Sequence, residues 1–182
     1  MQSIASATAP AHGDKNVTRA DATVWYFAYG SNLAPATFVE RRGITPLDAH
    51  VAWLDDLALC FDLPVGPGER GVANLIGTPG ARTWGVLYRI GAEDAARLDR
   101  TEGVDRGYYD RLAVTALRPP PAEPLEAFTY RSQRGVAGRK PSARYLGIIL
   151  DGARHHRLPA DWIAYLEALE LAVDERLAAG KE

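Results

Sequence analysis

The residues best suited to chemistry in this 182-residue sequence form a glycine loop, Gly30, Ser31 and Asn32. The loop follows aromatic, β-branched and small residues at positions 24–29, which are typical of a buried strand, and precedes a predicted helix at residues 35–42. In such a strand, loop and helix, backbone N–H groups of the loop and first helical turn point at a common place. A cluster of N–H donors of this kind favours a carboxylate or a developing oxyanion.

Taken alone, the glycine loop has a simpler interpretation. A turn from strand to helix often needs one residue with positive φ, and Gly30 supplies it without steric cost. For an isolated Tyr-Gly-Ser we favour this simpler interpretation, because the tripeptide is too short to be specific. Support for a binding site must therefore come from elsewhere in the chain.

The other reactive side chains form no familiar catalytic pattern. The one cysteine, Cys60, lies in an apolar run and is predicted to be a small buried residue rather than a nucleophile. His155 and His156 are adjacent instead of one helical turn apart, which is poor spacing for a metal ion, so we expect solvated helix surface there. His-Glu-x-x-His, Cys-x-x-Cys, Walker and Gly-x-Ser-x-Gly motifs are absent from the sequence. We expect neither a metal nor a nucleotide cofactor.

The elements that must position the loop are mostly strands up to residue 131 and helices after it. Strands are predicted at residues 24–29, 50–54, 57–61, 72–76, 83–90, 109–117 and 125–131. The second and third form a hairpin around Asp55 and Asp56, a surface loop spans 63–71, and a turn lies at 78–80. Helices are predicted at 35–42 and 92–101, from the N-cap Ser142 to residue 153, and at 159–177. Because helices do not alternate with the strands, the pattern favours an α+β fold in one domain.

Two separated motifs give the chain a family resemblance. Tyr-Phe-Ala-Tyr-Gly-Ser-Asn-Leu at residues 26–33 resembles the opening signature of the γ-glutamylcyclotransferases. Trp-Gly-Val-Leu-Tyr at 84–88 with Leu-Asp-Arg-Thr-Glu-Gly-Val at 98–104 is similar to their second signature, and Pro-Ser-Ala-Arg-Tyr at 141–145 also fits. Two motifs in the right order are far more specific than one. The loop Tyr-Gly-Ser-Asn-Leu resembles the general branch rather than the glutathione-specific branch.

The resemblance, which spans residues 24–178, implies a fold, an activity and a set of site residues. The implied fold is a small mixed-strand β-barrel flanked by helices, in agreement with the α+β prediction. The implied activity is the release of 5-oxoproline and a free amine or amino acid from a γ-glutamyl compound, without a cofactor. Glu102 takes the role of the catalytic acid/base. The implied substrate-binding residues are Tyr29, Gly30, Ser31, Asn32, Leu33, Ala34 and Tyr145.

Without the resemblance, these residues have plainer interpretations and other functions stay open. Glu102 alone is best interpreted as a solvated glutamate at a helix end, and Tyr145 is equally well a core-facing tyrosine. A binding or regulatory module on the same fold is one alternative, against which the presence of Glu102 argues. A nucleic-acid-binding domain that uses the basic residues between 131 and 157 is another, but the net charge of −2 disfavours it.

The sequence also limits the cellular location and the binding partners that we expect. Residues 1–22 carry no core pattern and are predicted to be a disordered leader before a single domain at residues 23–182. Because the sequence has neither a secretory signal nor an apolar segment long enough to span a bilayer, we expect a cytoplasmic location. The expected partner is a small γ-glutamyl molecule, with neither nucleic acid nor membrane, and a homodimer stays open. The sequence also leaves the identity of the leaving amine open, since the substrate could be a γ-glutamyl amino acid, a γ-glutamylamine or a γ-glutamyl intermediate of a biosynthetic pathway.

Overall fold

The structure of this protein is a computed structural model that describes residues 22–120 and 124–173. The described residues form five strands, namely β1 (Thr23–Ala28), β2 (Asp48–Pro64), β3 (Gly71–Gly91), β4 (Asp110–Leu117) and β5 (Pro124–Arg131). The α-helices are α1 (Ala92–Glu102), α2 (Ala143–His155) and α3 (Ala160–Glu167), with a π-helix at Ala36–Arg41 and 3-10 turns at Ser31–Leu33 and Val104–Arg106. The predicted leader lies outside the described residues except for Ala22, whose carbonyl oxygen accepts a hydrogen bond from the Ala92 N–H at 2.9 Å.

The five strands close into a barrel in the order β1, β3, β2, β4, β5. Neighbouring strands run antiparallel except β1 and β5, which are parallel and meet at Tyr26 and Phe128. The α+β prediction and the implied mixed-strand barrel flanked by helices are therefore confirmed. Closure brings β1 at one end of the sheet against β5 at the other.

Large apolar side chains form the core of the protein. Phe27, Leu87 and Ile90 are completely buried, and Leu54 and Leu75 are each 1% exposed. β1 passes so close to β3 at Gly85 that a Cβ there would collide with the carbonyl oxygen of Ala28. This close approach, which a glycine allows, fixes the end of β1 from which the glycine loop departs.

The predicted hairpin around Asp55 and Asp56 is wrong. β2 continues through this point, and both of its halves pair with β3. Asp56 lies at a bulge where the register shifts between Asp55 and Leu57, and the extra residues of the bulge belong to β3. Asp56 has φ of 61°, and its carboxylate accepts a hydrogen bond from the Gly80 N–H at 2.7 Å. A bulge bends and twists a strand without ending it, which the local sequence of two aspartates does not distinguish from a turn.

The two strands predicted at 72–76 and 83–90 are one strand, β3. The predicted turn at 78–80 falls opposite the Asp56 bulge, where β3 carries extra residues, and Gly80 there has φ of 78°. Glycine and proline do produce a local excursion at this place. The chain on both sides nevertheless stays paired with β2, so the long-range ladder decides the element boundary.

The last helix ends earlier than predicted. α3 stops at Glu167 instead of residue 177, and residues 174–177 lie outside the described residues. After α3 the chain turns back onto the segment before α2, where the Ala172 N–H donates to the Pro141 carbonyl oxygen at 2.9 Å. The Lys140 ammonium also lies 2.6 Å from a carboxylate oxygen of Glu170. These contacts replace the continued helix that the apolar spacing favours. In the described part of the chain, no helix has the length and apolar character needed to cross a membrane.

The prediction of solvated surface for the two adjacent histidines is correct for His155 and wrong for His156. His155 is exposed, whereas His156 is half-buried with its Nε2 atom 2.8 Å from the hydroxyl oxygen of Tyr88. Burial lowers the pKa of His156 below its usual value, which favours the neutral ring in this contact. Cys60 is half-buried as well, and burial raises the pKa of its thiol to about 12, so the thiolate is scarce at neutral pH.

Candidate active site

A cavity of about 200 Å³ lies beside the glycine loop. Glu102 from the end of α1 and Tyr145 from the first turn of α2 both line it, although they are far from the loop in sequence. Four predicted loop residues, Tyr29, Gly30, Ser31 and Asn32, line it too. The remaining lining residues are Tyr26, Arg42, Val72, Ala73, Tyr109 and Tyr130.

Leu33 and Ala34, which the resemblance implies to be substrate-binding residues, do not line the cavity. Their side chains are 0% and 4% exposed and belong to the buried core. The Leu33 N–H donates to the Gly30 carbonyl oxygen at 3.0 Å, and the Ala34 N–H donates to the Ser31 carbonyl oxygen at 3.2 Å. These two amides close the 3-10 turn and are not available to a ligand, so Leu33 and Ala34 hold the loop in shape.

Gly30 does not supply a positive φ, so the simpler interpretation of the loop is wrong on this point. Its φ is −112°, and the reason for glycine is space. A Cβ at Gly30 would lie 3.1 Å from the Cβ of Ala73 and 3.5 Å from the hydroxyl oxygen of Tyr145. The loop therefore fits tightly between β3 and α2, and its backbone forms one wall of the cavity.

The end of α1 delivers the Glu102 carboxylate into the cavity. Gly103 ends the helix in the left-handed region at φ of 68°, as a C-terminal glycine commonly does. The Oε1 atom of Glu102 accepts a hydrogen bond from the side-chain amide of Asn32 at 3.2 Å, and its side chain is 13% exposed. The carboxylate is thus largely withdrawn from water and held at the glycine loop.

Arg42 is a cavity residue that sequence reasoning missed. It follows the π-helix, and its Nη2 atom lies 2.7 Å from Oε1 of Glu102. Its Nη1 atom donates to the Thr101 hydroxyl at 2.5 Å, while its Nε atom is buried and has no hydrogen-bond partner among the described residues. The sequence predicts only a favourable charge at a helix end for this arginine, because nothing local indicates the approach of α1.

Three of the five tyrosines that line the cavity donate their hydroxyl protons in hydrogen bonds to other protein groups. Tyr29 donates to the Tyr130 carbonyl oxygen at 2.6 Å, and Tyr109 donates to the Ala73 carbonyl oxygen at 2.9 Å. The Tyr130 hydroxyl donates to the Asp99 carboxylate at 2.7 Å. Burial raises the pKa of all three phenols, so they stay neutral and rigid walls of the cavity.

The other two tyrosines accept hydrogen bonds and keep a proton for the cavity. The Tyr26 hydroxyl accepts from the Asn32 side-chain amide at 2.8 Å, and the Tyr145 hydroxyl accepts from the Ala73 N–H at 3.2 Å. Burial raises the pKa of both phenols above the ordinary value, so both O–H groups persist at neutral pH. A hydroxyl that accepts one hydrogen bond can still donate its own, which gives the cavity two donors for an oxygen atom.

A second groove, of about 470 Å³, adjoins the cavity and shares Val72, Glu102 and Tyr109 with it. Its floor is mainly apolar, and its rim carries Arg106 and Arg134. The two guanidinium groups lie 5.4 and 5.0 Å from the ring centre of Tyr108. The remaining lining residues are Leu63, Pro64, Val65 and Thr101. The groove therefore extends from the Glu102 carboxylate to a cationic rim.

Within residues 22–120 and 124–173, no group of three or more His, Cys, Asp and Glu side chains is placed to hold a metal ion. The polar side chains that line the cavity carry a carboxylate, a guanidinium, a side-chain amide, a serine hydroxyl and phenol hydroxyls. These groups suit proton transfer and charge stabilisation around a small polar molecule.

Comparisons with known proteins identify the family. A family model described as the AIG2-like family matches residues 82–166. The chain is 31% identical to the γ-glutamylcyclotransferase of Bos taurus, covering 80% of this chain and 78% of that one, and 33% identical to that of Mus musculus, covering 81% and 79%. A solved structure of a γ-glutamyl cyclotransferase superposes with a TM-score of 0.74 at 26% identity, over 87% of this chain and 97% of the other. The chain therefore belongs to the γ-glutamylcyclotransferase family of enzymes.

Proposed function

We propose that this protein converts a γ-glutamyl compound into 5-oxoproline and a free amine or amino acid, with Glu102 as general base and then general acid. The observation that carries this proposal is the convergence of the Glu102 carboxylate, the Asn32 amide and two tyrosine hydroxyls on one cavity. The cavity of about 200 Å³ is smaller than the pockets that bind drug-sized ligands, so it suits a single glutamyl group.

The nucleophile comes from the substrate. The α-amine of the glutamyl group attacks its own γ-carbonyl carbon and closes a five-membered ring. Since the attack is intramolecular, a cavity that holds the glutamyl chain folded can lower the barrier by up to about 7–11 kcal/mol. No serine, cysteine or metal-bound water is needed in such a reaction.

Proton transfer is the task of Glu102. The α-amine is an ammonium at neutral pH and has no lone pair for attack until a base removes a proton. Glu102 removes one proton from the ammonium and passes it to solvent, takes a second proton from the same nitrogen as the new C–N bond forms, and returns this second proton to the leaving nitrogen as the old C–N bond breaks. The released amine takes up a proton from solvent, so atoms and charges balance and Glu102 ends in its starting state.

The tetrahedral intermediate carries an oxyanion that needs donors. Tyr26 and Tyr145 each keep an O–H for the cavity, and their raised pKa values prevent them from ionising at neutral pH. Donors fixed by the protein before the reaction stabilise developing charge without reorganising. We assign the oxyanion to these hydroxyls rather than to the Leu33 and Ala34 amides, which the loop uses internally.

The adjoining groove supports an amino acid as the leaving group. A leaving group bonded at the γ-carbonyl next to Glu102 would extend into this groove, where Arg106 and Arg134 suit a carboxylate and the apolar floor suits a side chain. A γ-glutamylamine lacks that carboxylate. Among the substrate classes that the sequence leaves open, the groove favours γ-glutamyl amino acids.

We expect replacement of both rim arginines by glutamine to reduce the preference for γ-glutamyl amino acids. The measurement is kcat/KM for γ-glutamylalanine and for γ-glutamylethylamine, which differ by the carboxylate. Partly exposed ion pairs contribute up to about 1 kcal/mol each, so the preference should fall by about tenfold in the double variant. The Arg154→Gln variant is the control, because Arg154 pairs with Glu167 on the surface. An unchanged preference would remove the groove from substrate recognition.

The proposed activity itself is tested by incubating the protein with γ-glutamyl amino acids and γ-glutamylamines and assaying 5-oxoproline. We expect 5-oxoproline in amounts equal to the released amine. A folded protein that binds these compounds and releases no 5-oxoproline would be a binding module on the same fold instead.

A further inference from the structure

We infer that Arg42 binds the α-carboxylate of the glutamyl group, and that Asn32 and Glu102 together receive its α-ammonium. This inference rests on the proposed function and adds to it a means of substrate selection. The Glu102–Arg42 ion pair would open as the substrate enters, and each of its members would take the oppositely charged half of the substrate.

Charge complementarity is the first observation. Among the residues that line the cavity, Arg42 and Glu102 are the charged ones, and their Nη2 and Oε1 atoms lie 2.7 Å apart. An α-amino acid carries an ammonium and a carboxylate on the same carbon atom. Its insertion between Arg42 and Glu102 replaces one ion pair with two and leaves no charge in the cavity without a partner. A buried charge without a partner is strongly unfavourable, so this exchange is selective for a zwitterion.

Two orphaned polar atoms are the second observation, and they are independent of the ion pair. In the described part of the chain, the Oδ1 atom of Asn32 and the Nε atom of Arg42 are buried and have no hydrogen-bond partner. Buried polar atoms are nearly always satisfied in native proteins, and among the side-chain atoms that lack a partner in the described residues, these two belong to residues that line the cavity, where a ligand could satisfy them. The acceptor Asn32 Oδ1 suits an ammonium, and the donor Arg42 Nε suits a carboxylate. Arginine commonly binds a carboxylate through two N–H groups at once.

The surrounding contacts hold both atoms in place. The side-chain amide nitrogen of Asn32 donates to the Tyr26 hydroxyl and to Glu102, which fixes the direction of its oxygen. Arg42 is anchored through Nη1 on Thr101, the residue before Glu102. Recognition of the carboxylate is therefore coupled to the base. Once the substrate carboxylate has replaced Glu102 as the partner of Arg42, Glu102 is free to take a proton from the ammonium.

The test compares two substrates in two enzymes. A γ-glutamyl amino acid and its 4-aminobutyryl counterpart share the amine, the carbonyl group and the leaving group, and differ only in the α-carboxylate. We expect Arg42→Gln to lower kcat/KM for the γ-glutamyl compound by about a hundredfold, as for loss of one partner of a buried charge pair. For the 4-aminobutyryl compound we expect a change of less than about threefold. The control is Arg41→Gln, since Arg41 is the exposed neighbour on the π-helix.

A purely structural role would lower kcat/KM for both compounds equally, and that result would overturn the inference while the proposed function stands. Arg42→Lys keeps the charge but lacks Nε, so we expect an intermediate loss of kcat/KM for the γ-glutamyl compound. If Arg42→Gln does not fold, the comparison is made with Arg42→Lys instead. If the wild-type protein forms no 5-oxoproline, the proposed function fails by itself. Calorimetry with the same two compounds then tests Arg42. A loss of affinity in Arg42→Gln for the γ-glutamyl compound alone supports the inference, and affinities for that compound that are equal in wild type and variant contradict it.

Discussion

Replacement of Glu102 by glutamine should lower kcat for 5-oxoproline formation by at least about a hundredfold. Glutamine keeps the size of the side chain, and its carbonyl oxygen can still accept the hydrogen bond from Asn32. It cannot take a proton from the α-ammonium, however, so the amine stays protonated. Glu102→Asp should lower kcat less than Glu102→Gln does, because the carboxylate is kept but lies one methylene further from the substrate. Single-turnover formation of 5-oxoproline by the three proteins measures both effects.

Thermal melts are the folding control for the Glu102 variants, because Arg42 loses its 2.7 Å ion pair in Glu102→Gln. Glu93→Gln is the matched variant, since Glu93 is an exposed glutamate in the first turn of the same helix. It should retain wild-type turnover. If a folded Glu102→Gln protein stays within a few-fold of wild type, Glu102 is not the base.

Replacement of Gly30 by valine should reduce kcat/KM by at least about a hundredfold through loss of substrate binding. A Cβ at this position would already lie 3.1 Å from the Cβ of Ala73, and the two methyl groups of valine need still more space. The loop or Tyr145 must then move, which displaces the wall of the cavity and one of its two proposed oxyanion donors. A misplacement of about 1 Å can cost a hundredfold in rate.

Gly77→Val is the control for the loop variant. Gly77 lies exposed on β3, and a Cβ there would meet nothing within 4 Å. Substrate affinity from calorimetry and helical content from circular dichroism should be measured on both valine variants. Normal affinity in a folded Gly30→Val protein would exclude the loop from the substrate site.

Local signals account for the elements that the sequence predicts well. Ser142 accepts a hydrogen bond from the Tyr145 N–H at 3.2 Å and caps α2, as a serine before an apolar helix indicates. The end of α1 at Gly103 and the pairing of β4 with β5 follow likewise from a terminating glycine and from two adjacent β-rich runs. In these cases the residues that decide the structure are neighbours in the sequence.

Long-range contacts account for the errors. The Asp56 bulge and the continuity of β3 depend on pairing between strands, and the early end of α3 depends on contacts with Lys140 and Pro141. Apolar spacing along a single segment does not contain this information. The pattern beyond residue 167 favours a helix, but tertiary hydrogen bonds override it.

The candidate site shows the same division. Glu102, Tyr145 and the loop residues were identified through motifs, and they meet at one cavity. Tyr26 opens the first motif, but the resemblance implies no role for it. Tyr109, Tyr130 and Arg42 lie outside the motifs, and barrel closure and the approach of α1 bring them to the cavity. The sequence predicts that the aromatic residues of β1 belong to the core, and the hydroxyl group of Tyr26 is the available signal that this residue also lines a polar cavity.

The most direct test of the proposed reaction is to run it in heavy-oxygen water. Attack by the α-amine involves no water, so the account predicts unlabelled 5-oxoproline in amounts equal to the released amine. An enzyme that hydrolyses the same bond would place one heavy oxygen in the γ-carboxylate of free glutamate. Labelled glutamate as the main product would contradict intramolecular cyclisation and the role assigned to the cavity.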